Sequence, residues 1–82
     1  MEKSIYTTEY GVLVELLREL REKADVSQVE MAERLATSQS FVTKYERGER
    51  RLDVIQLRTI CRALDRPLAD VVRELERRLT KL

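Results

Sequence analysis

Between Ser38 and Gly48 the chain sets out hydrogen-bonding side chains at a helical spacing. Gln39, Ser40, Thr43, Lys44 and Arg47 share one arc of an α-helix, and Val42 and Tyr45 share the opposite arc. Amides, hydroxyls and cations of this kind bond to base edges and to phosphates. Glutamine can bond bidentately to adenine, and lysine can donate to the acceptors of guanine. A helix serving only to fill a bundle usually shows Glu, Lys and Ala outward instead. Lys44, Arg47, Arg50 and Arg51 stand against only Glu46 and Glu49 between Ala36 and Arg51.

Other chemistries lack their side chains. The 82 residues contain no histidine, which removes the commonest general base near neutral pH and the commonest metal ligand. A lone Cys61 without histidine argues against a cysteine nucleophile and against a zinc site, and it cannot close an intrachain disulfide. Carboxylates are plentiful, but they alternate with Lys and Arg as on a solvated helix face. No catalytic residue, metal, cofactor or small-molecule ligand is expected.

Composition sets the scale. A chain this short suits one compact core, with residues 1–82 as one domain whose core spans about 8–75. The residues are 43% hydrophobic and 38% charged, which fits short amphipathic helices. Two glycines and one proline are too few turn signals for an all-β fold. A net charge of +1 means that nucleic-acid binding must rest on where the cations sit. No apolar run reaches the ~20 residues of a membrane span, and the start carries no signal-peptide core. A reducing, cytoplasmic setting without membrane contact is the expectation.

The elements that position these side chains read as an all-α chain of five short helices. Val12, Leu13, Leu16, Leu17, Leu20 and Ala24 mark a first helix over about Thr8 to Ala24, capped by Thr8 and stopped by Asp25. Ser27 and Glu30 form a capping box for a helix running from about Gln28 to Leu35, with Met31, Ala32 and Leu35 inward. Ser38 caps a third helix over Gln39 to Glu46, and Gly48 stops it. Asp53 and Gln56 box the fourth, which buries Leu57, Ile60, Cys61 and Leu64. Pro67 fits the first turn of the fifth. Ile5 and Tyr6 are expected to cover the bundle.

Helices two and three, joined by a short connection, have the layout of a helix-turn-helix. Gln28-x-x-x-Ala32, then Ser38-Gln39-Ser40-Phe41-Val42-Thr43-Lys44-Tyr45-Glu46-Arg47-Gly48, then Leu57-x-x-Ile60-Cys61-x-Ala63-Leu64 resemble the phage-repressor and Xre-type helix-turn-helix family. The resemblance spans about Val12 to Val72. It implies a repressor-like, sequence-specific binder of double-stranded DNA acting in transcription. Gln39, Ser40, Thr43 and Lys44 would then read bases from helix three in the major groove. Phe41 would touch a thymine methyl or pack on the bundle. Gln28, Thr37, Ser38, Arg47, Arg50 and Arg51 would meet phosphates. Arg21 and Glu46 match a structural ion pair of the family. Ala36, Asp25 and Asp65 depart from it by replacing customary glycines.

Leu68, Val72, Leu75, Leu79 and Leu82 are spaced 4, 3, 4 and 3, the rhythm of a coiled-coil seam. Leu68, Val71, Val72 and Leu75 are expected to complete the chain's own core. With Leu79 and Leu82 extending beyond it, Val72, Leu75, Leu79 and Leu82 form a candidate homodimer interface. A protein-interaction module or antitoxin-type partner built on the same fold is the alternative; an apolar or acidic face on helix three would favour it.

Overall fold

The computed structural model describes residues 7–82, so the expectation for Ile5 and Tyr6 lies outside the described residues. Five helices follow one another: α1 Thr8–Lys23, α2 Gln28–Arg34, α3 Gln39–Glu46, α4 Val54–Ala63 and α5 Leu68–Thr80. Each of the first four begins where a polar side chain takes over an orphaned backbone donor. Ser38 Oγ accepts from the Phe41 amide at 3.3 Å. Asp53 and Gln56 close a reciprocal box, at 2.7 and 2.9 Å.

Three local expectations are corrected. The cap of α1 is Thr7, one residue before Thr8; its hydroxyl accepts from the Tyr10 amide at 3.0 Å. At α2 only half of the box forms: Ser27 accepts from the Glu30 amide, whereas the Glu30 carboxylate pairs with Arg34 one turn on. A full guanidinium partner outcompetes one backbone N–H for that carboxylate. Pro67 stands just before α5, in extended backbone with φ −63° and ψ 138°, and Leu68 opens the helix.

Helices α1 to α4 all stop the same way. Asp25, Ala36, Gly48 and Asp65 take φ values of 62°, 55°, 78° and 62°. In each case two amides fold back onto carbonyls of the last turn, as with Ala36 on Glu33 and Thr37 on Ala32. Only one of the four is glycine. Aspartate tolerates the left-handed region better than most residues. Ala36 has no such help, so the turn between α2 and α3 carries backbone strain of ~1–2 kcal/mol.

The core gathers one or more residues from every helix: Leu16 and Leu17 of α1, Met31 and Ala32 of α2, Val42 and Tyr45 of α3, Leu57, Ile60 and Cys61 of α4, and Val71 of α5. Each large aliphatic buried here stabilises the fold by about 1.5–3 kcal/mol. Cys61 is fully buried and its thiol is pushed up by burial, so it packs as a small hydrophobe. The α1 stripe is wider than expected. Tyr10, Val14 and Arg21 are buried, Val12 is half-exposed and Ala24 is exposed. The reason is that α1 packs against both α3 and α5, so two sides of it are covered. On the α5 side, Arg78 donates to Glu19 at 2.9 Å and also to Glu74. Arg77 and Arg78 beside Glu74 hold its carboxyl down to about 2. Leu68, Val71 and Leu75 finish the core; Val72 does not, being 43% exposed. It flanks the buried edge of α5.

Candidate nucleic-acid interface

Helices α2 and α3 are joined by four residues, Leu35 to Ser38, and pack on each other, with the small Ala32 of α2 buried. Val42 and Tyr45 plug α3 into the core, at 0% and 1% exposure. Opposite them, Gln39, Ser40, Lys44 and Arg47 are exposed, and Thr43 is half-buried on the same arc. Thr37 and Ser38, at the entry to α3, are exposed as well.

What holds this arc in place is a buried polar relay. Arg21 of α1 grips Glu46 of α3 with two bonds, Nε to Oε2 at 2.7 Å and Nη2 to Oε1 at 3.1 Å. Its remaining arm, Nη1, donates to the Val26 carbonyl at 2.8 Å. Both side chains are almost wholly withdrawn from water, at 10% and 4% exposure. The guanidinium is held above its usual range chiefly by the bond to Glu46, which outweighs burial. Gln28, the first residue of α2, donates from Nε2 to Glu46 at 2.9 Å, and its Oε1 accepts from the Thr43 hydroxyl at 2.9 Å. One chain of bonds thus joins α1, the turn after it, α2 and α3. Such pairs define geometry more surely than they add stability.

Beyond α3 the cations sit on aromatic rings. The Arg50 guanidinium lies 5.2 Å from the Phe41 ring centre, and that of Arg51 lies 4.7 Å from Tyr10. Arg47 reaches Glu49 at 3.9 Å with both side chains exposed, a contact worth little. Phe41 lies off the exposed arc. It packs on the core and meets Tyr45 edge to face, with centroids 5.5 Å apart. The structure therefore places Gln39, Ser40, Thr43, Lys44 and Arg47 together, with Arg50 and Arg51 just beyond. Gln28 stands behind Thr43, and Phe41 under Arg50.

Tyr10 went unnoticed in the sequence. Its hydroxyl donates to the Arg50 carbonyl at 2.7 Å and accepts from the Leu52 amide at 3.1 Å, pinning the segment after α3 to α1. Tyr10, Val14, Leu17 and Arg21 are spaced 4, 3 and 4. That stripe becomes visible only once an arginine is admitted as a buried position. Arg34 was missed too: it donates to the Ala63 carbonyl at 2.8 Å and fastens α2 to the end of α4.

A short helix anchored inward, a second helix braced across it and a polar, cation-bearing outer arc define a helix-turn-helix DNA-binding domain. The helix-turn-helix family model HTH_3 matches residues 17–71. The chain belongs to the Xre-type helix-turn-helix family, and its class is that of DNA-binding transcriptional regulators. An XRE-family like protein from Pseudomonas syringae pv. tomato str. DC3000 is 43% identical, with a TM-score of 0.79 and 83% of each chain covered. The clp gene regulator ClgR from Corynebacterium glutamicum is 27% identical, with a TM-score of 0.79 over 90% of this chain and 79% of that one. The restriction-modification controller protein C.Esp1396I shares the fold at 15% identity, with a TM-score of 0.83 over 92% and 99% of the two chains. Among curated proteins no sequence matches the chain. Among the described residues, no helix is long and apolar enough to cross a membrane.

Proposed function

We propose that the protein is a homodimeric repressor or self-regulating controller that reads a palindromic operator with α3 in the major groove. The observation that carries this reading is the exposed arc of Gln39, Ser40, Thr43, Lys44 and Arg47 on a helix whose other side is locked by Val42, Tyr45 and the Arg21–Glu46 pair. Gln39, Ser40 and Lys44 read base edges, because their side chains are free and reach outward. Arg47, Arg50 and Arg51 clamp phosphates; the aromatic partners of Arg50 and Arg51 cover one face of each guanidinium and leave N–H donors for a phosphate. Thr37, Ser38 and the second Nε2 hydrogen of Gln28 add phosphate contacts at the edge of the groove. Glu46, consumed by Arg21, leaves Glu49 as the one acid opposing four cations between residues 36 and 51. With a net charge of +1 the rest of the chain adds little non-specific attraction, so the DNA reading is local.

The dimer forms along α5. Val72 and Leu82 are exposed at 43% and 67%, with Leu79 half-buried between them; Leu75 is packed mainly on the protomer's core and supports the seam from beneath. Pairing there sets two recognition helices about one DNA turn apart, ~34 Å.

The test is a binding selection of the purified protein against a random duplex library. A palindrome with half-sites about 10 base pairs apart is the expected result. Recovery of no consensus, with binding lost near physiological salt, would move the assignment to a protein-interaction module.

A further inference from the structure

We infer that Thr43 reads polarity: within the recognition helix proposed above, its hydroxyl offers DNA only acceptor capacity. It therefore selects a base whose amino group lies in the major groove, adenine or cytosine, over guanine or thymine at one position of each half-site. The bonds that fix this begin at Arg21, 25 residues before the Glu46 that it grips. The Glu46 carboxylate, gripped by Arg21, has acceptors and no donor to turn toward Gln28. The amide nitrogen of Gln28 must therefore face Glu46, at 2.9 Å, which settles the orientation of the amide. Its oxygen then faces Thr43, also at 2.9 Å, and an amide oxygen can only accept. The single hydroxyl proton of Thr43 is consumed in that bond.

What remains on Thr43 Oγ1 is lone-pair density. At 100° per residue Thr43 falls between Gln39 and Arg47 on the exposed arc, so this oxygen belongs to the surface that enters the groove. Its β-branched side chain is stiff at χ1 and half-buried, so the oxygen has little freedom to turn away. In the major groove adenine N6 and cytosine N4 are donors, whereas guanine O6, guanine N7 and thymine O4 are acceptors. An acceptor-only hydroxyl meets the first pair favourably and the second lone pair against lone pair. Each base pair presents one amino group in the major groove, so the choice is between strands, with adenine or cytosine on the side facing α3.

The experiment compares selected sites for the wild type, Thr43→Val and Gln28→Ala. The wild type should enrich adenine or cytosine at one position, by about fivefold, the worth of one net hydrogen bond. Thr43→Val keeps the shape and loses the oxygen; that position alone should lose its amino bias. Gln28→Ala frees the proton, so the bias against guanine and thymine should vanish while binding weakens evenly elsewhere. A second measurement needs only wild-type protein: purine for adenine, or 2-pyrimidinone for cytosine, deletes the amino group and should lower affinity about fivefold. Unchanged preferences in Thr43→Val, a retained bias in Gln28→Ala, or indifference to the amino-deleted bases would each overturn the inference. A consensus lacking any Thr43-dependent position overturns it while sparing the operator-reading function; no consensus at all from the wild type overturns both.

Discussion

The Tyr10 hydroxyl lies 2.7 Å from the Arg50 carbonyl, across 40 positions of sequence, and also receives the Leu52 amide. The start of α1 thus holds the segment that carries Arg50 and Arg51. Removing the hydroxyl in Tyr10→Phe leaves a carbonyl and an amide short of a partner in a partly buried site. The expected cost is about 1–3 kcal/mol, a drop in melting temperature of several degrees. DNA affinity should fall evenly across sequences, because phosphate clamps are loosened and no base reader is touched. Calorimetry together with binding to two unrelated duplexes checks it; an unchanged melting temperature would show that the tether is dispensable.

Arg21→Ala leaves the Glu46 carboxylate buried with only Gln28 beside it. A cost of ~3–5 kcal/mol is expected from an uncompensated buried charge. The paired replacement Arg21→Met with Glu46→Leu should recover much of that loss and still misplace Gln28 and Thr43. Denaturant melts of the three proteins give the comparison. If the single variant melts like the wild type and binds DNA unchanged, the pair has no structural role.

Ala36→Gly tests the strained turn. At φ 55° the Cβ of Ala36 crowds the backbone, while glycine carries a larger entropy loss on folding. The balance is a gain of about 0.5–1 kcal/mol, with DNA binding unaltered. A destabilised variant would mean that the turn has relaxed around the methyl group.

Readers and clamps should separate by how they fail. Gln39→Ala is expected to change base preference at one position with a loss of about 1–3 kcal/mol on the best site. For Arg50→Ala the expectation is a uniform weakening and a salt slope smaller by about 1. Titrations on the selected site and a scrambled one, at two salt concentrations, decide the matter. Equal losses on both duplexes for both variants would dissolve the distinction.

Alkaline pH should unfold the protein earlier than the charge count suggests. Burial raises Cys61 above its ordinary 9.0 and raises both Tyr10 and Tyr45 above their ordinary 10.0, Tyr45 most of all. In each case the folded state holds its proton longer than the unfolded state. The stability they contribute is complete below the unfolded values and is lost as pH climbs toward the folded ones. Denaturation midpoints should therefore be flat below about pH 9 and fall above it. A midpoint unchanged between about pH 8 and 10.5 would contradict this.

Much of the architecture was legible because it is written in local signals. Ser38, Asp53 with Gln56, and Gly48 act within one turn of their own helix, so their meaning does not depend on distant residues. The 3.6-residue period likewise sets Val42 and Tyr45 against Gln39, Ser40, Thr43, Lys44 and Arg47. The sequence by itself therefore determined five helices, their order and the composition of the outer arc. Tertiary structure decided what those side chains are free to do. Thr43 reads as one more outward hydroxyl until Gln28, 15 residues earlier, takes its proton. Phe41 belongs beneath Arg50 because the segment after α3 folds back over it, and Tyr10 matters because the chain returns to it at Arg50. Hydrogen bonds between residues far apart depend on positions good to a fraction of an ångström, and periodicity resolves only which side of a helix faces the core.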